Sequence, residues 1–136
     1  MYTPQESPYA GKDEHICKGC SERQRRFMVA ASCAAMKSNL LHRHGCVIVH
    51  RNEIVAEGCN TRLRGCSSVH AERDALNKLS KNAHLRRIAR ECEMYVVRSG
   101  DSGNLKYSKP CHGCSKSIQE MGIRVVYYSI TPSTCR

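Results

Sequence analysis

The chain has 136 residues, of which 40% are hydrophobic and 25% are charged, and its formal net charge is +10. This length predicts one globular domain that buries roughly 65 to 70% of its unfolded surface, and the composition excludes disordered and fibrous proteins. No apolar run approaches the ~18 residues of a membrane span, and the first residues lack the apolar segment of a signal peptide, so we expect a cytoplasmic protein with no membrane partner.

Residues 1–20 are rich in proline, glycine and charge, and they predict an N-terminal tail or a small appended metal-binding segment ahead of a main domain at 21–136. Within this segment His15, Cys17 and Cys20 form a candidate second metal site, to which Cys59 or Cys66 would add a ligand. The alternative is a flexible tail with free thiols.

A first helix is predicted from Ser21, where Ser21 and Gln24 have the spacing of a capping box. Apolar residues follow near helical spacing, and Gly45 is expected to end the helix. The predicted apolar face consists of Phe27, Ala31, Ala34, Ala35 and Leu41.

Two β-branched runs in "CVIVHRNEIVAEGCN" then meet at Arg51 and Asn52, a pattern typical of an antiparallel hairpin. A basic loop leads to a second helix at about 69–80, for which Ser67 or Ser68 is the expected N-cap.

The segment "EMYVVRS" predicts a buried strand, and "RVVYYSI" predicts a last strand near the end of the sequence. Between them a third helix is expected at about 111–121, with Pro110 at its first position and Gly122 closing it. This order of elements predicts an α/β fold with a mixed central sheet.

Cysteine is abundant, with ten residues, and without a signal peptide we interpret them as reduced thiols, some of which bind metal. Cys33, Cys46 and Cys92 fall inside predicted elements and are expected to be small core residues. Cys111 and Cys114 stand three apart at the start of a predicted helix, where negative charge is favoured.

His70 takes the corresponding place at the start of the second helix, and a set of three nitrogen and sulfur ligands suits zinc. Glu72 follows two residues later and would point about 200° away within a helix, so we expect a different role for it. Three protein ligands leave one position for water, whose proton a nearby carboxylate can take and deliver. The alternative is a closed structural zinc site completed by Cys66.

The segments "HAE" at 70–72 and "PCHGC" at 110–114 resemble the zinc deaminase signature, H-x-E followed by P-C-x-x-C. The likeness to the cytidine and deoxycytidylate deaminase superfamily extends over about residues 21–130. It implies a three-layer α/β/α sandwich with a mixed central sheet and a cytidine deaminase-like catalytic domain at 21–136. Many relatives continue into another helix and a fifth strand, so this chain is expected to be C-terminally short.

The resemblance also implies roles for individual residues. His70, Cys111 and Cys114 would hold a catalytic zinc ion, and Glu72 would act as the proton shuttle. Asn60 would contact the substrate's sugar or base, and the backbone N–H of Ala71 would face a carbonyl of the base.

The function that the resemblance implies is a zinc-dependent hydrolase of nucleotide metabolism, which converts a cytosine-type base to uracil and releases ammonia. We expect a free pyrimidine nucleotide such as dCMP or CMP as the substrate, because a basic surface favours phosphate-bearing ligands. One alternative is an editing deaminase acting on cytosine or adenine in single-stranded RNA or DNA, although Lys109 stands where tRNA adenosine deaminases carry an acid. Another alternative is an inactive, zinc-stabilised nucleic-acid-binding module, and a homo-oligomer is a further candidate assembly.

Overall fold

A computed structural model describes the backbone of residues 5–9 and all atoms of residues 21–62, 68–100 and 105–130. None of the helices in these ranges is long and apolar enough to cross a membrane. The strands are β1 Gln5–Tyr9, β2 Arg43–His50, β3 Glu53–Cys59, β4 Thr61–Arg62, β5 Ser68–Val69, β6 Glu93–Ser99, β7 Leu105–Lys106 and β8 Val125–Ser129. The helices are α1 Glu22–Ala35, α2 Ala71–Ser80, α3 Ala83–Arg87 and α4 His112–Met121.

The central sheet has the strand order β1-β8-β6-β2-β3, and the short strand β7 also pairs with β6. The pairs β1 with β8 and β8 with β6 are parallel, whereas β6 with β2 and β2 with β3 are antiparallel. The sheet is therefore mixed, as predicted. A separate two-stranded ribbon, β4 with β5, carries the chain from the end of β3 to the start of α2.

The two faces of the sheet are covered by different helices, because alternate side chains of a strand point to opposite faces. Val47 and Val49 of β2 pack with α1, and Cys46 and Ile48 of the same strand pack with α2. The α1 side also holds Phe27, Met28, Ala31, Ala34, Ala35, Tyr95, Val97 and Leu105, and the α2 side holds Ala71, Ala75, Leu76, Leu79, Met94, Val96, Ile118 and Ile123. This arrangement confirms the three-layer α/β/α sandwich.

The prediction that Gly45 ends the first helix is wrong. Helix α1 ends at Ala35, and Gly45 lies inside β2. A Cβ atom at Gly45 would come within 2.0 Å of the carbonyl oxygen of Ala31, so the absence of a side chain is what lets α1 lie directly on the strand. Leu41 was expected on the apolar face of the helix, but it is 83% exposed because it follows the helix.

Gly58 in β3 likewise lets a helix lie directly on the strand, on the other face of the sheet. A Cβ atom there would lie 2.5 Å from the carbonyl oxygen of Ala71 and 2.6 Å from the backbone nitrogen of Ala75. Helix α2 therefore rests on β3 through its first turn. This contact fixes the position of the residues at the start of α2.

Several finer predictions can be compared with the structure. The hairpin is confirmed, and Arg51 and Asn52 have φ angles of 48° and 68°, which is typical of a type I′ turn. Cys46 and Cys92 are buried as predicted, but Cys33 is exposed because it lies two residues from Ala31, on the opposite side of α1. Strand β1 was not indicated by any pattern in the sequence.

The start positions of two helices differ from the predictions. The N-cap of α2 is His70, and Ser68 belongs to β5, while Ser67 lies outside the described residues. The N-cap of α4 is Cys111, so Pro110 precedes the helix. Gly122 ends α4 with a φ of 89°, as predicted from its tolerance of the left-handed region.

Candidate active site

His70 is the N-cap residue of α2, with extended backbone angles, and its side chain makes no capping hydrogen bond. The backbone carbonyl of His70 accepts a bond from the backbone nitrogen of Asp74, as the first bond of the helix. The imidazole is therefore not used to cap the helix and can serve as a metal ligand.

Cys111 and Cys114 lie at the start of α4, Cys111 as its exposed N-cap and Cys114 as a buried residue of its first turn. The segment before them is anchored at Ser108, whose hydroxyl donates to the carbonyl of Val96 at 2.9 Å and accepts from the backbone nitrogen of Ser129 at 2.7 Å. Strands β6 and β8 thus fix the position of the segment that leads to the two thiols.

The three predicted zinc ligands come together. Nδ1 of His70 lies 3.2 Å from Sγ of Cys114 and 3.6 Å from Sγ of Cys111, and the three ligand atoms are all within 4.8 Å of one another. Tetrahedral zinc with Zn–N of about 2.0 Å and Zn–S of about 2.3 Å places such atoms roughly 3.5 to 3.8 Å apart. The residues present are therefore close enough together to hold a zinc ion once their side chains adjust.

Glu72 lies one residue inside α2 and is only 4% exposed. Its burial raises the pKa of the carboxyl group. Glu72 lines the same cavity as His70, but it does not belong to the group of three candidate ligands. The expectation that it serves a purpose other than coordination agrees with this geometry.

A cavity of about 250 Å³ opens beside the three candidate ligands. It is lined by His44, Asn60, Ser68, His70, Glu72, Ser108, Lys109 and Cys111. A larger cavity of about 360 Å³ lies near the end of α1 between Met36 and Gly100, but none of its lining residues has a carboxyl, thiol or imidazole group. Of these two cavities, the smaller one therefore holds the carboxyl, thiol and imidazole groups.

Asn60 also lines the cavity, and its side chain binds the backbone at the start of β2. Its Nδ2 donates to the carbonyl of His42 at 2.7 Å, and its Oδ1 accepts from the backbone nitrogen of His44 at 2.8 Å. These bonds support a structural role that the sequence did not reveal, and the predicted contact of Asn60 with substrate stays a prediction. Ala71 is fully buried at the first position of α2, and the role predicted for its backbone N–H likewise stays a prediction.

His44 is a cavity residue that the sequence analysis missed. It stands at the beginning of β2, where a short basic run around a glycine gave no indication that one imidazole would turn toward the ligand cluster. Burial, and then the nearby charges of Arg98, His70 and His42, lower the pKa of His44 to about 4. Its ring is therefore neutral at pH 7.

Among the described residues, His70, Cys111 and Cys114 form the one grouping of three metal-ligating side chains. His15, Cys17 and Cys20, the predicted second site, lie outside the described residues, and so does Cys66, the fourth ligand of the alternative structural site. Cys59 is described, and it is half-buried at the end of β3.

Residues 21–130 match the sequence profile of the family described as "Cytidine and deoxycytidylate deaminase zinc-binding region". The chain belongs to this family. The resemblance inferred from "HAE" and "PCHGC" is therefore confirmed, and with it the assignment to a zinc-binding deaminase family, whose metal the His-Cys-Cys cluster fits.

Individual members of the deaminase family show how close the likeness is. The deoxycytidylate deaminase of Schizosaccharomyces pombe is 28% identical over an aligned length of 127, and the match covers 75% of this chain and 35% of that protein, so the chain spans about one third of the length of this relative. The dCMP deaminase of cyanophage S-TIM5, solved in complex with dCMP and dUMP, is 25% identical, with a TM-score of 0.60 over 80% of this chain and 82% of its own. The cytidine deaminase of Burkholderia pseudomallei, at 21% identity, shares the fold with a TM-score of 0.58 over 71% and 75% of the two chains.

Proposed function

We propose that this protein catalyses the zinc-dependent hydrolytic deamination of a cytosine-type base in a free nucleotide of the dCMP or CMP kind. The observation that carries the proposal is the position of Glu72, a buried carboxyl group that lines the same cavity as three converging zinc ligands. A structural zinc site needs no such carboxylate, whereas a hydrolytic site requires a proton carrier beside its nucleophile.

In this proposal His70, Cys111 and Cys114 hold the ion through one nitrogen and two sulfur atoms. When bound, zinc supplies the Lewis acidity that makes water a nucleophile near neutral pH. Glu72 accepts a proton from the attacking water and passes it to the ring nitrogen next to the amine-bearing carbon. The hydroxyl group that water has added to the carbon then gives its remaining proton through Glu72 to the amine, the carbon–nitrogen bond breaks, and ammonia leaves as the carbonyl of uracil forms.

One observation favours a free nucleotide over a nucleoside, and a second favours a small ligand over a polymer. The relative from cyanophage S-TIM5 was solved with dCMP and dUMP. The cavity of about 250 Å³ lies just below the range of roughly 300 to 1,000 Å³ that is usual for ligand sites, which suits one small ligand. The net charge of +10 is also compatible with a single-stranded nucleic acid, so this second candidate is kept as an arm of the test.

The test is a substrate panel scored by ammonia release and by the gain of one dalton in the product. It contains cytosine and adenine nucleosides, their monophosphates and short single strands. We expect wild-type protein to convert dCMP or CMP, and we expect Glu72→Gln to lose about 10² to 10⁴-fold in kcat while its zinc content stays at the wild-type level.

Glu120→Gln is the matched control, because Glu120 is an exposed carboxylate on α4. Its activity should equal that of wild type. Full turnover in Glu72→Gln would refute the role of this residue. Conversion of single strands alone, with rates that fall steeply as salt is added, would favour the editing deaminase, and binding of nucleic acid without turnover would favour the inactive module.

A further inference from the structure

The described part of the active-site cavity has an uneven distribution of charge. Glu72 is the one acidic residue among those that line it, and this carboxyl group is buried. Lys109 lines the cavity as well, and it is exposed. Among the described lining residues, the lysine charge is thus on an exposed side chain and the one carboxyl group is on a buried one.

The position of Lys109 is determined by its two neighbours in the chain. Ser108 is only 5% exposed, and its hydrogen bonds to Val96 and Ser129 hold it against strands β6 and β8. Pro110 on the other side is also buried. With both neighbours fixed, the backbone of Lys109 has little freedom to move, and its side chain is kept at the rim of the cavity.

A second positive charge, that of Arg98, lies behind the lining of the cavity. His44 lines the cavity, and its partner across β2 and β6 is Arg98, on the same face of the sheet. Nη2 of Arg98 lies 3.3 Å from Nδ1 of His42. Because the ring of His44 is neutral at pH 7, the positive charge on this side of the cavity is that of Arg98.

We propose that Lys109 binds the phosphate group of the substrate and so makes the site selective for pyrimidine nucleoside monophosphates over nucleosides. The inference rests on the proposed function, because the base must enter the cavity toward Glu72 for its phosphate to remain at the rim. An ammonium–phosphate contact is a charge-assisted hydrogen bond, which is stronger than a neutral one. A nucleoside has no phosphate group and therefore cannot make this contact.

The experiment compares wild type with Lys109→Met, which keeps the length of the side chain and removes its charge. Lys106→Met is the matched control, since Lys106 is exposed three residues earlier in the same segment and does not line the cavity. KM and kcat are measured for dCMP and deoxycytidine, and calorimetry gives the Kd of dUMP and deoxyuridine.

In Lys109→Met we expect KM for dCMP and Kd for dUMP to rise about 10 to 100-fold, with both nucleosides unaffected and kcat for dCMP little changed. Lys109→Arg should keep most of the preference, and Lys106→Met should match wild type. Added salt should weaken binding of dUMP to wild type and have a smaller effect on Lys109→Met.

An unchanged Kd of dUMP in Lys109→Met would overturn the inference, and so would an equal loss for dUMP and deoxyuridine. Failure of the proposed function would give a different experimental result. If wild type deaminates neither substrate but binds dUMP more tightly than deoxyuridine through Lys109, the phosphate site stands and the deamination does not. If wild type binds dUMP no better than deoxyuridine, the phosphate site is refuted whatever the activity.

Discussion

The hydroxyl oxygens of Ser108 and Ser129 lie 2.7 Å apart in the interior, where they join the segment before Cys111 to strand β8. The backbone nitrogen of Ser108 also donates to the carbonyl of Ser129 at 2.8 Å. Ser129 is fully buried, and its hydroxyl lies 2.6 Å from the carbonyl oxygen of Lys106. This pair fixes the loop that carries both a candidate ligand and the rim of the cavity.

We therefore expect Ser129→Ala to destabilise the fold by about 1 to 3 kcal/mol, because buried polar groups lose a hydrogen-bonding partner. The same change should weaken zinc binding, since the loop leading to Cys111 is less well held. Urea unfolding and metal analysis measure the two effects. Ser117→Ala on α4 is the control, and its unfolding free energy should stay within about 0.5 kcal/mol of wild type. A loss of the same size in both variants would contradict the structural role given to Ser129.

A second prediction concerns the contact of α2 with Gly58. Alanine at this position would place Cβ 2.5 Å from the carbonyl oxygen of Ala71, so helix α2 must shift away from β3. We expect a loss of roughly 3 kcal/mol or more in unfolding free energy, together with lower zinc affinity, because His70 moves with the helix. Denaturant titration and metal analysis measure both.

Gly113 offers a contrasting control for Gly58, because a Cβ atom there would meet nothing within 4 Å. Gly113→Ala lies inside α4 and should stabilise the protein by about 0.5 to 1 kcal/mol. If Gly58→Ala were as well tolerated as Gly113→Ala, the close approach of α2 to β3 would not exist in solution.

The third prediction concerns Glu93, which is buried beneath α1 and accepts hydrogen bonds from Arg23 and from the hydroxyl of Tyr95. Burial alone would raise the pKa of Glu93, but the bonds from Arg23 and Tyr95 bring it below the usual 4.5. A lowered pKa in the folded state means that this carboxylate stabilises the fold above pH 4.5, and that the contribution is lost as the pH falls through the folded-state value.

Glu93→Gln should accordingly cost about 2 kcal/mol at pH 7, a figure reduced from that of a fully buried pair because Arg23 is about one-third exposed. The difference from wild type should shrink as unfolding is followed from pH 7 down to pH 3. A difference that stays constant over this range would show that the ionised carboxylate is not the source of the effect.

The fourth prediction is that metal couples the starts of α2 and α4. Because the ligands come from both helices, zinc should raise the melting temperature, by an amount that corresponds to about 2.7 kcal/mol when free zinc is 100 times its Kd. Chelation should reverse the effect, and Cys111→Ser should abolish most of it. Cys33→Ser is the control, since Cys33 is exposed on α1; retention of full zinc by Cys111→Ser would exclude this residue as a ligand.

The same metal analysis tests the second site predicted at His15, Cys17 and Cys20. A content near two zinc ions per chain, reduced to one in Cys17→Ser, would support it. A content of one zinc ion per chain that is lost in Cys111→Ser and unchanged in Cys17→Ser would show that the predicted second site binds no metal.

The elements were predictable from the sequence because their signals are local. The hairpin at Arg51 and Asn52, the strand beginning at Glu93 and the end of α4 at Gly122 each follow from periodicity or from a residue with special backbone freedom. The prediction for Gly45 was wrong because a glycine that ends a helix and a glycine that lies beneath a helix cannot be distinguished in a single sequence. Only the packing of α1 on β2 distinguishes the two.

The site was predictable to the extent that spacing determines it. His70, Cys111 and Cys114 converge because two helices begin at the same end of the sheet, which a pair of short motifs is enough to indicate. His44 and the backbone contacts of Asn60 depend on the register of the β2–β3 hairpin, and no motif marks these residues. The same is true of the serine pair that holds the loop before Cys111.

Strand β1 has a consequence for the order in which the chain folds. Gln5 pairs with Val125, so the outermost parallel pair of the sheet joins residues from opposite ends of the described chain. During synthesis β1 emerges first but has no partner until β8 has left the ribosome, and such distant pairings form slowly. We therefore expect this edge of the sheet to be completed last, although β1 is synthesised before the other strands that the structure describes.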